Sequence, residues 1–283
     1  GTLGLLIPPS IIMIVYGVAA NVSIAKLFMA GVLPGILLAL VFMGYIVVWA
    51  LRHPEQVPPA DPPTSFAQKL AASRHLIPVV SLIALVLGSI YTGVATATEA
   101  AALGVGGSLL LATIEGSMNW KALSEGLASA TRVYCMIGLI LAGAAFLTLA
   151  MGFIGLPRHL AEFIGGLQLS PFALMLMLVV FFIVLGCFLD GISMVVLTMG
   201  VIMPTVQKAG IDPLWFGIFI VLVVEMAQIT PPVGFNLFVL QGMTGREIGW
   251  LAKVTLPFFF LMVLAVTLIW VFPGIVTALP ARM

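Results

Sequence analysis

Two proline pairs, Pro8-Pro9 and Pro231-Pro232, and one carboxylate, Asp190, are the residues through which this apolar chain of 283 residues can do chemistry. A double proline removes two amide donors and clashes with the preceding turn, so neither pair can sit in an uninterrupted helix. The carbonyls freed at such a break are hard oxygen donors, of the kind that replace the water shell of Na⁺ inside a protein-lined cavity. Gly4, Ile7 and Pro9 at the first break, and Ala227, Thr230 and Val233 at the second, are spaced to offer such oxygens, with Thr230 adding a hydroxyl. Gly186 could complete the second set from across the cleft. The half-helix after each pair presents free amides and a positive dipole end, which favours an anionic group. That combination suits a carboxylate that moves together with cations.

Ionised side chains inside a hydrophobic span are costly, so each is a functional hypothesis. Asp190 lies in LGCFLDGISM between two apolar limbs. It either lines a water-accessible substrate or cation site or caps the second limb as an N-terminal residue. Ser10, Ser193 and Asn236 join it as candidate residues of a substrate cleft. Glu225, five residues before Thr230 in an apolar helix, either pairs with a bundle partner such as Arg132 or sets the field of a cation site. Glu99 follows Thr96 and Thr98, and reads as a cap or first-turn residue. Catalysis is not supported. His53, His75 and His159 all fall at predicted membrane edges, no Ser/His/Asp set can be assembled, and Asp190 has no second aspartate in a span. Cys135 and Cys187 sit in apolar runs without metal-ligand spacing and read as small buried hydrophobes.

The elements that must position these residues follow from composition. With 62% hydrophobic and 7% charged residues and a mean hydropathy of +1.27, the chain belongs in a lipid bilayer, since globular proteins carry about 25% charged residues. A net charge of +1 gives no basic field for nucleic acid. Charge-free stretches from Leu27 to Leu51, Leu76 to Thr98, Val133 to Pro157, Phe163 to Leu189, Met226 to Gly245 and Val254 to Ala281 approach or exceed the roughly 20 residues that a spanning helix needs. Ala100–Ile114, Gly191–Gln207 and Pro213–Val224 are shorter, which suggests tethered or broken helices. The segment 52–75 is the only long polar stretch and reads as an extended loop followed by a short surface helix from about Ser65.

An internal repeat organises the rest. IPPSIIMIVYGVAANVSIAKLFMAGVLP, from Ile7, lies on ITPPVGFNLFVLQGMTGREIGWLAKVTLP, from Ile229, with the proline pairs aligned and Pro34 on Pro257. Each copy reads as apolar segment, break, short half-helix, polar turn and a long helix with a proline near its start. Between the breaks, four spans (24–51, 76–94, 98–115 and 124–153) and a hairpin of two half-length limbs with its tip at Asp190 bring the second copy in from the side where the first ended. That is an inverted-topology repeat, with discontinuous helices in matching positions. Arg52, Lys69, Arg74, Lys121, Arg132, Arg246 and Lys253 collect on one side, the cytoplasmic one by the positive-inside rule; Lys26, Arg158, Lys208 and Arg282 collect on the other. By the symmetry of the repeats, about 150 residues including a partner hairpin are expected upstream. The fold class is therefore all-α: a polytopic membrane protein with inverted repeats, discontinuous helices and a re-entrant hairpin, N-terminally incomplete.

GTLGLLIPPSI with KLFMAGVLPGI downstream, YTGVATATEAA, LGCFLDGISM and EMAQITPPVGFNLFV together resemble the large membrane subunit of tripartite ATP-independent periplasmic (TRAP) transporters, across essentially all of 1–283. The resemblance implies a secondary, Na⁺-coupled importer of organic acids such as C4-dicarboxylates or sialic acid in the bacterial inner membrane. It implies a soluble periplasmic substrate-binding protein and a small four-helix membrane subunit as partners, and an elevator mechanism. It also implies that the oxygens of Gly4, Ile7 and Pro9 belong to one Na⁺ site, and those of Gly186, Ala227, Thr230 and Val233 to another. The pattern is departed from at Ala227, where glycine is common, Val223, where asparagine is common, and Gly200 and Ala97, where proline is common. A sodium/anion symporter of related fold that needs no binding protein, and an ion channel, are the alternatives.

Overall fold

Lipid offers no partner for backbone amides and carbonyls, so spanning segments must satisfy them internally, and helix is the only regular structure among the described residues. The computed structural model describes residues 3–57, 65, 68, 70, 73–167, 170–231 and 234–282, and leaves the side chains at 75, 157, 160, 161 and 165 undescribed. In chain order the helices are α1 (Leu3–Leu6), α2 (Ile11–Ala20), α3 (Ile24–Arg52), α4 (Ile77–Tyr91), α5 (Ala97–Ile114), α6 (Trp120–Ile154), α7 (Leu156–Gly166), α8 (Pro171–Gly186), α9 (Gly191–Lys208), α10 (Pro213–Gln228), α11 (Phe235–Thr244), α12 (Ile248–Val271) and α13 (Gly274–Thr277). Of these, α3, α5, α6, α9 and α12 are long and apolar enough to cross a membrane. The chain is a polytopic, all-helical membrane protein.

Two compact units divide it, residues 1–39 with 132–283, and residues 40–131. In the smaller unit α4 packs on α5. Helix α5 starts at a capping box: Thr96 N donates to Glu99 Oε2 at 2.8 Å, and Glu99 N donates to Thr96 Oγ1 at 3.3 Å. Thr96 is thus the N-cap and Glu99 its first-turn partner, as the cap or first-turn reading expected. Ser65 and Gln68 exchange the same pair of bonds, Ser65 N to Gln68 Oε1 at 2.9 Å and Gln68 N to Ser65 Oγ at 3.2 Å. Most of the expected loop and surface helix, 58–64, 66–67, 69 and 71–72, lies outside the described residues.

The larger unit is built around α10, buried at every residue from Trp215 to Gln228 and packed against α1, α2, α8, α9, α12 and α13. A helix apolar on all sides can be covered by protein or by lipid, and here protein covers it. The repeat is plain in the backbone. Helices α2 and α11 are each 10 residues long, and each ends on a left-handed residue, Asn21 at φ 53° and Gly245 at φ 67°. The long helix that follows contains Pro34 in one copy and Pro257 in the other.

Side-chain contacts fix the directions within this unit. Ile12 and Val224 both meet at Gly191, whereas four residues later Tyr16 donates from its hydroxyl to Pro213 O at 2.6 Å, so α2 runs antiparallel to α10. Tyr16 also reaches Met203 Sδ at 3.7 Å, so α9 runs with α2. At the base, Phe172 and Trp215 each pack against Trp270, and Trp215 Nε1 donates to Ile269 O at 3.1 Å. The hairpin of α8 and α9 therefore enters and leaves at the level where α10 begins, with its tip where α10 ends. Lys208, at the end of α9, lies at this base, and Arg246 and Lys253 lie at the start of the antiparallel α12, away from it.

Three expectations are corrected. The hairpin limbs are not half-length: α8 has 16 residues and α9 has 18, because the Asp190 cap starts a helix that Pro204 does not stop. Two of the short runs, extended to Ala97–Ile114 and Gly191–Lys208, reach spanning length. Neither cysteine is buried: Cys135 is exposed on α6, which is 6% buried over its apolar stretch, and Cys187 is half-buried; both are free thiols.

Candidate functional site

Three interruptions meet at the end of α10, and each forms for a local reason. In the first, residues 7–10 separate α1 from α2. Pro8 and Pro9 have no N–H, so the carbonyls of Gly4 and Leu5, which an unbroken helix would pair with them, lose their donors. Ser10 recovers one of the two: its buried hydroxyl donates to Leu5 O and accepts from Met13 N at 3.4 Å, capping α2. Gly4 O has no such replacement among the described residues. Gly4, Ile7 and Pro9 are all exposed along this turn, and the Pro8–Pro9 bond is cis. Ser10 faces inward as a cap and does not line an open cleft. The sequence signal was available, since a serine directly before an apolar helix is an N-cap.

In the second interruption, residues 229–234 separate α10 from α11. Ile229 N and Thr230 N tighten the end of α10 onto Met226 O and Ala227 O, at 3.3 and 3.2 Å. The Thr230 hydroxyl donates to Met226 O at 2.7 Å, which leaves its oxygen lone pairs free to accept a cation. Gly234, at φ +38°, starts α11 without a side-chain cap, and Leu237 N and Phe238 N bond to its carbonyl at 2.7 and 3.4 Å. Asn236, half-buried in the first turn of α11, has a buried Nδ2 without a partner among the described residues. Val233 lies outside the described residues.

The third interruption is the hairpin tip, and it is seated on the other two. A Cβ at Gly186 would collide with that of Ala227, and the Cys187 thiol lies 3.7 Å from Pro231 O. Beyond the tip, a Cβ at Gly191 would strike the Gln228 amide and meet Val224 at 2.7 Å and Ile12 at 2.9 Å. Asp190 caps α9: Oδ1 accepts from Ile192 N and Ser193 N at 2.9 Å each, and Oδ2 from Ser193 Oγ at 2.7 Å. The cap reading of Asp190 is realised, while the carboxylate stays exposed. Sequence reasoning missed Gln228, a buried polar side chain one residue before the break and wedged against Gly191.

The structure thus brings Gly186 to Ala227 and the tip to Pro231, and gathers Gly4, Ile7, Pro9 and Ser10 on the α1–α2 side of α10. Glu225 does not pair with Arg132: it is 0% exposed, whereas Arg132 is exposed. Gly200 lies elsewhere, against Thr148, beside an apolar cavity of about 530 Å³ between α2, α6 and α9 that none of the candidate residues lines.

A polytopic membrane protein whose two broken helices and hairpin tip converge at one level is the class that this arrangement defines. The chain belongs to the family described as tripartite ATP-independent periplasmic transporter, DctM component, whose profile matches residues 1–275. The family is one of transporters rather than enzymes. The chain is 33% identical over 281 residues, 99% of its own length and 65% of the relative's, to the C4-dicarboxylate TRAP transporter large permease protein DctM of Pseudomonas aeruginosa. It is similar to the isethionate TRAP transporter permease protein DctMQ of Oleidesulfovibrio alaskensis, at 33% over 95% of this chain and 42% of that protein. It is likewise similar to the ectoine/5-hydroxyectoine TRAP transporter large permease protein UehC of Ruegeria pomeroyi, at 34% over 94% of this chain and 62% of that one. The chain spans less than two thirds of the length of these relatives.

Proposed function

We propose that this protein works as the large permease subunit of a TRAP transporter in the bacterial inner membrane, importing an organic acid by coupling to Na⁺. The observation that carries the reading is the convergence of two broken helices of opposite direction and a hairpin tip at the end of α10. The first cation site draws on the oxygens of Gly4, Ile7 and Pro9, the second on Gly186, Ala227, Thr230 and Val233. Hard neutral oxygens of this kind suit Na⁺ and need no carboxylate cluster.

The anionic group of the substrate sits at the start of α11. That helix has no side-chain cap, so its first amides and dipole remain available, and the unpartnered Asn236 amide lies in the same turn. Asp190 and Ser193 border the cleft from the hairpin. The relatives are named for C4-dicarboxylate, isethionate and ectoine; a carboxylate or sulfonate head is common to these molecules, and the remainder differs. Selectivity for the remainder rests with a periplasmic substrate-binding protein, and a small four-helix membrane subunit completes the complex. Every described candidate residue lies within one compact unit, as an elevator that carries its site across the membrane requires.

The test is uptake by the full-length complex in proteoliposomes, with and without binding protein and with and without an inward Na⁺ gradient. Saturable uptake that needs both is expected. Uptake that needs Na⁺ but no binding protein would point to a plain symporter, and non-saturating flux to a channel.

A further inference from the structure

Glu225 is the one charged residue among those described that is fully buried, at 0% exposed, and neither carboxylate oxygen has a hydrogen-bond partner there. It lies on the face of α10 turned to α1, on the side of Leu5. Ala227, two residues on, is turned by about 200° and meets Gly186 of the hairpin. The two sides of α10 therefore serve different interruptions: Ala227 the second break and the tip, Glu225 the first break.

Among the described side chains, no other charge is placed to neutralise it. Helices α1, α2, α8, α11 and α13, all packed on α10, carry no Asp, Glu, Lys or Arg. On α9, Lys208 is at the far end and Asp190 is committed to its cap; on α12, Lys253 is exposed. An ionised carboxylate left alone in the interior is strongly disfavoured. A monovalent cation held only by the neutral carbonyls of the adjoining first break carries the opposite charge without a counter-charge of its own. Each removes the penalty of the other.

We propose that Glu225 supplies the negative charge for the cation held at the first break, so that the second copy of the repeat contributes to the site of the first. The inference rests on the Na⁺-coupled reading above. It makes the first-break site the charged one, held by Gly4, Ile7, Pro9 and Glu225, and leaves the second to neutral oxygens.

Na⁺-dependent thermal stabilisation of the purified full-length complex measures half-saturation without transport. Glu225→Gln should raise the half-saturating Na⁺ concentration at least about tenfold, and Glu225→Asp, which keeps the charge, should fall between it and the wild type. A hydrophobic carbodiimide, which couples to buried carboxyl groups, gives a readout in the wild type alone: mass spectrometry should find Glu225 modified without Na⁺ and protected with it. Wild-type half-saturation in Glu225→Gln, or equal modification with and without Na⁺, overturns the inference and leaves Na⁺ coupling standing. A wild-type complex with no Na⁺ response overturns the coupling and the inference with it.

Discussion

The first and second breaks are written in the same sequence pattern and finish differently. Residues 7–10 close on themselves, because the Ser10 hydroxyl takes up Leu5 O and Met13 N. Residues 229–234 end on Gly234, which has no side chain to cap α11. The proline pair removes two amide donors in both copies, but only the second break also leaves a helix N-terminus without a side-chain cap. One repeat unit is thereby built in two ways: a closed turn facing a buried carboxylate, and an open turn ahead of an uncapped helix, which under the proposed function are a cation site and an anion site.

The largest effect should come from Gly186→Ala, which drives a methyl into Ala227 and unseats the hairpin tip from the second break. Overpacking of this kind costs about 1–3 kcal/mol, so thermal melting of the full-length complex should fall and uptake should be lost. Gly186→Ala combined with Ala227→Gly moves the methyl across the contact and should restore both. A wild-type melting curve for the single variant would mean that the tip is not seated there.

Next in size is the contrast between the caps. Gly234→Ala puts a side chain at φ +38°, where a Cβ meets Thr230 O at 3.0 Å, and should cost about 1–3 kcal/mol while raising the KM for substrate. Ser10→Ala removes a cap worth about 1 kcal/mol and should leave KM unchanged. Equal effects of the two on KM would erase the asymmetry between the breaks.

Thr230→Ala should raise half-saturating Na⁺ about fivefold, the loss of one neutral oxygen ligand worth roughly 1 kcal/mol, with little change in melting. An unchanged Na⁺ response would remove the hydroxyl from the second site. Smallest in stability terms is Asp190→Asn, since asparagine caps a helix about as well as aspartate. Membrane insertion and melting should match the wild type while uptake falls; wild-type uptake would leave Asp190 its cap alone.

Much of this was legible in the residues because it is local. Proline cannot donate, so the breaks at Pro8-Pro9 and Pro231-Pro232 are visible without coordinates. Thr96 with Glu99, and Asp190 ahead of an apolar run, are cap signals of the same short range. The limb lengths of the hairpin were not legible, because Pro204 is tolerated inside α9 where a composition reading would stop it. Nor were the exposures of Cys135 and Cys187, since an apolar helix reads alike whether protein or lipid covers it.

The sequence by itself determined that the chain is helical and membrane-spanning, where its helices break and that the breaks are a repeat, since these follow from hydropathy and from the chemistry of proline. The tertiary structure alone decided that the hairpin tip lands on Ala227, that α2 and α10 run antiparallel, and that Glu225 faces α1 instead of Arg132. Those pairings join residues far apart in the chain through shape and packing, and no local pattern of residues encodes which apolar face will meet which.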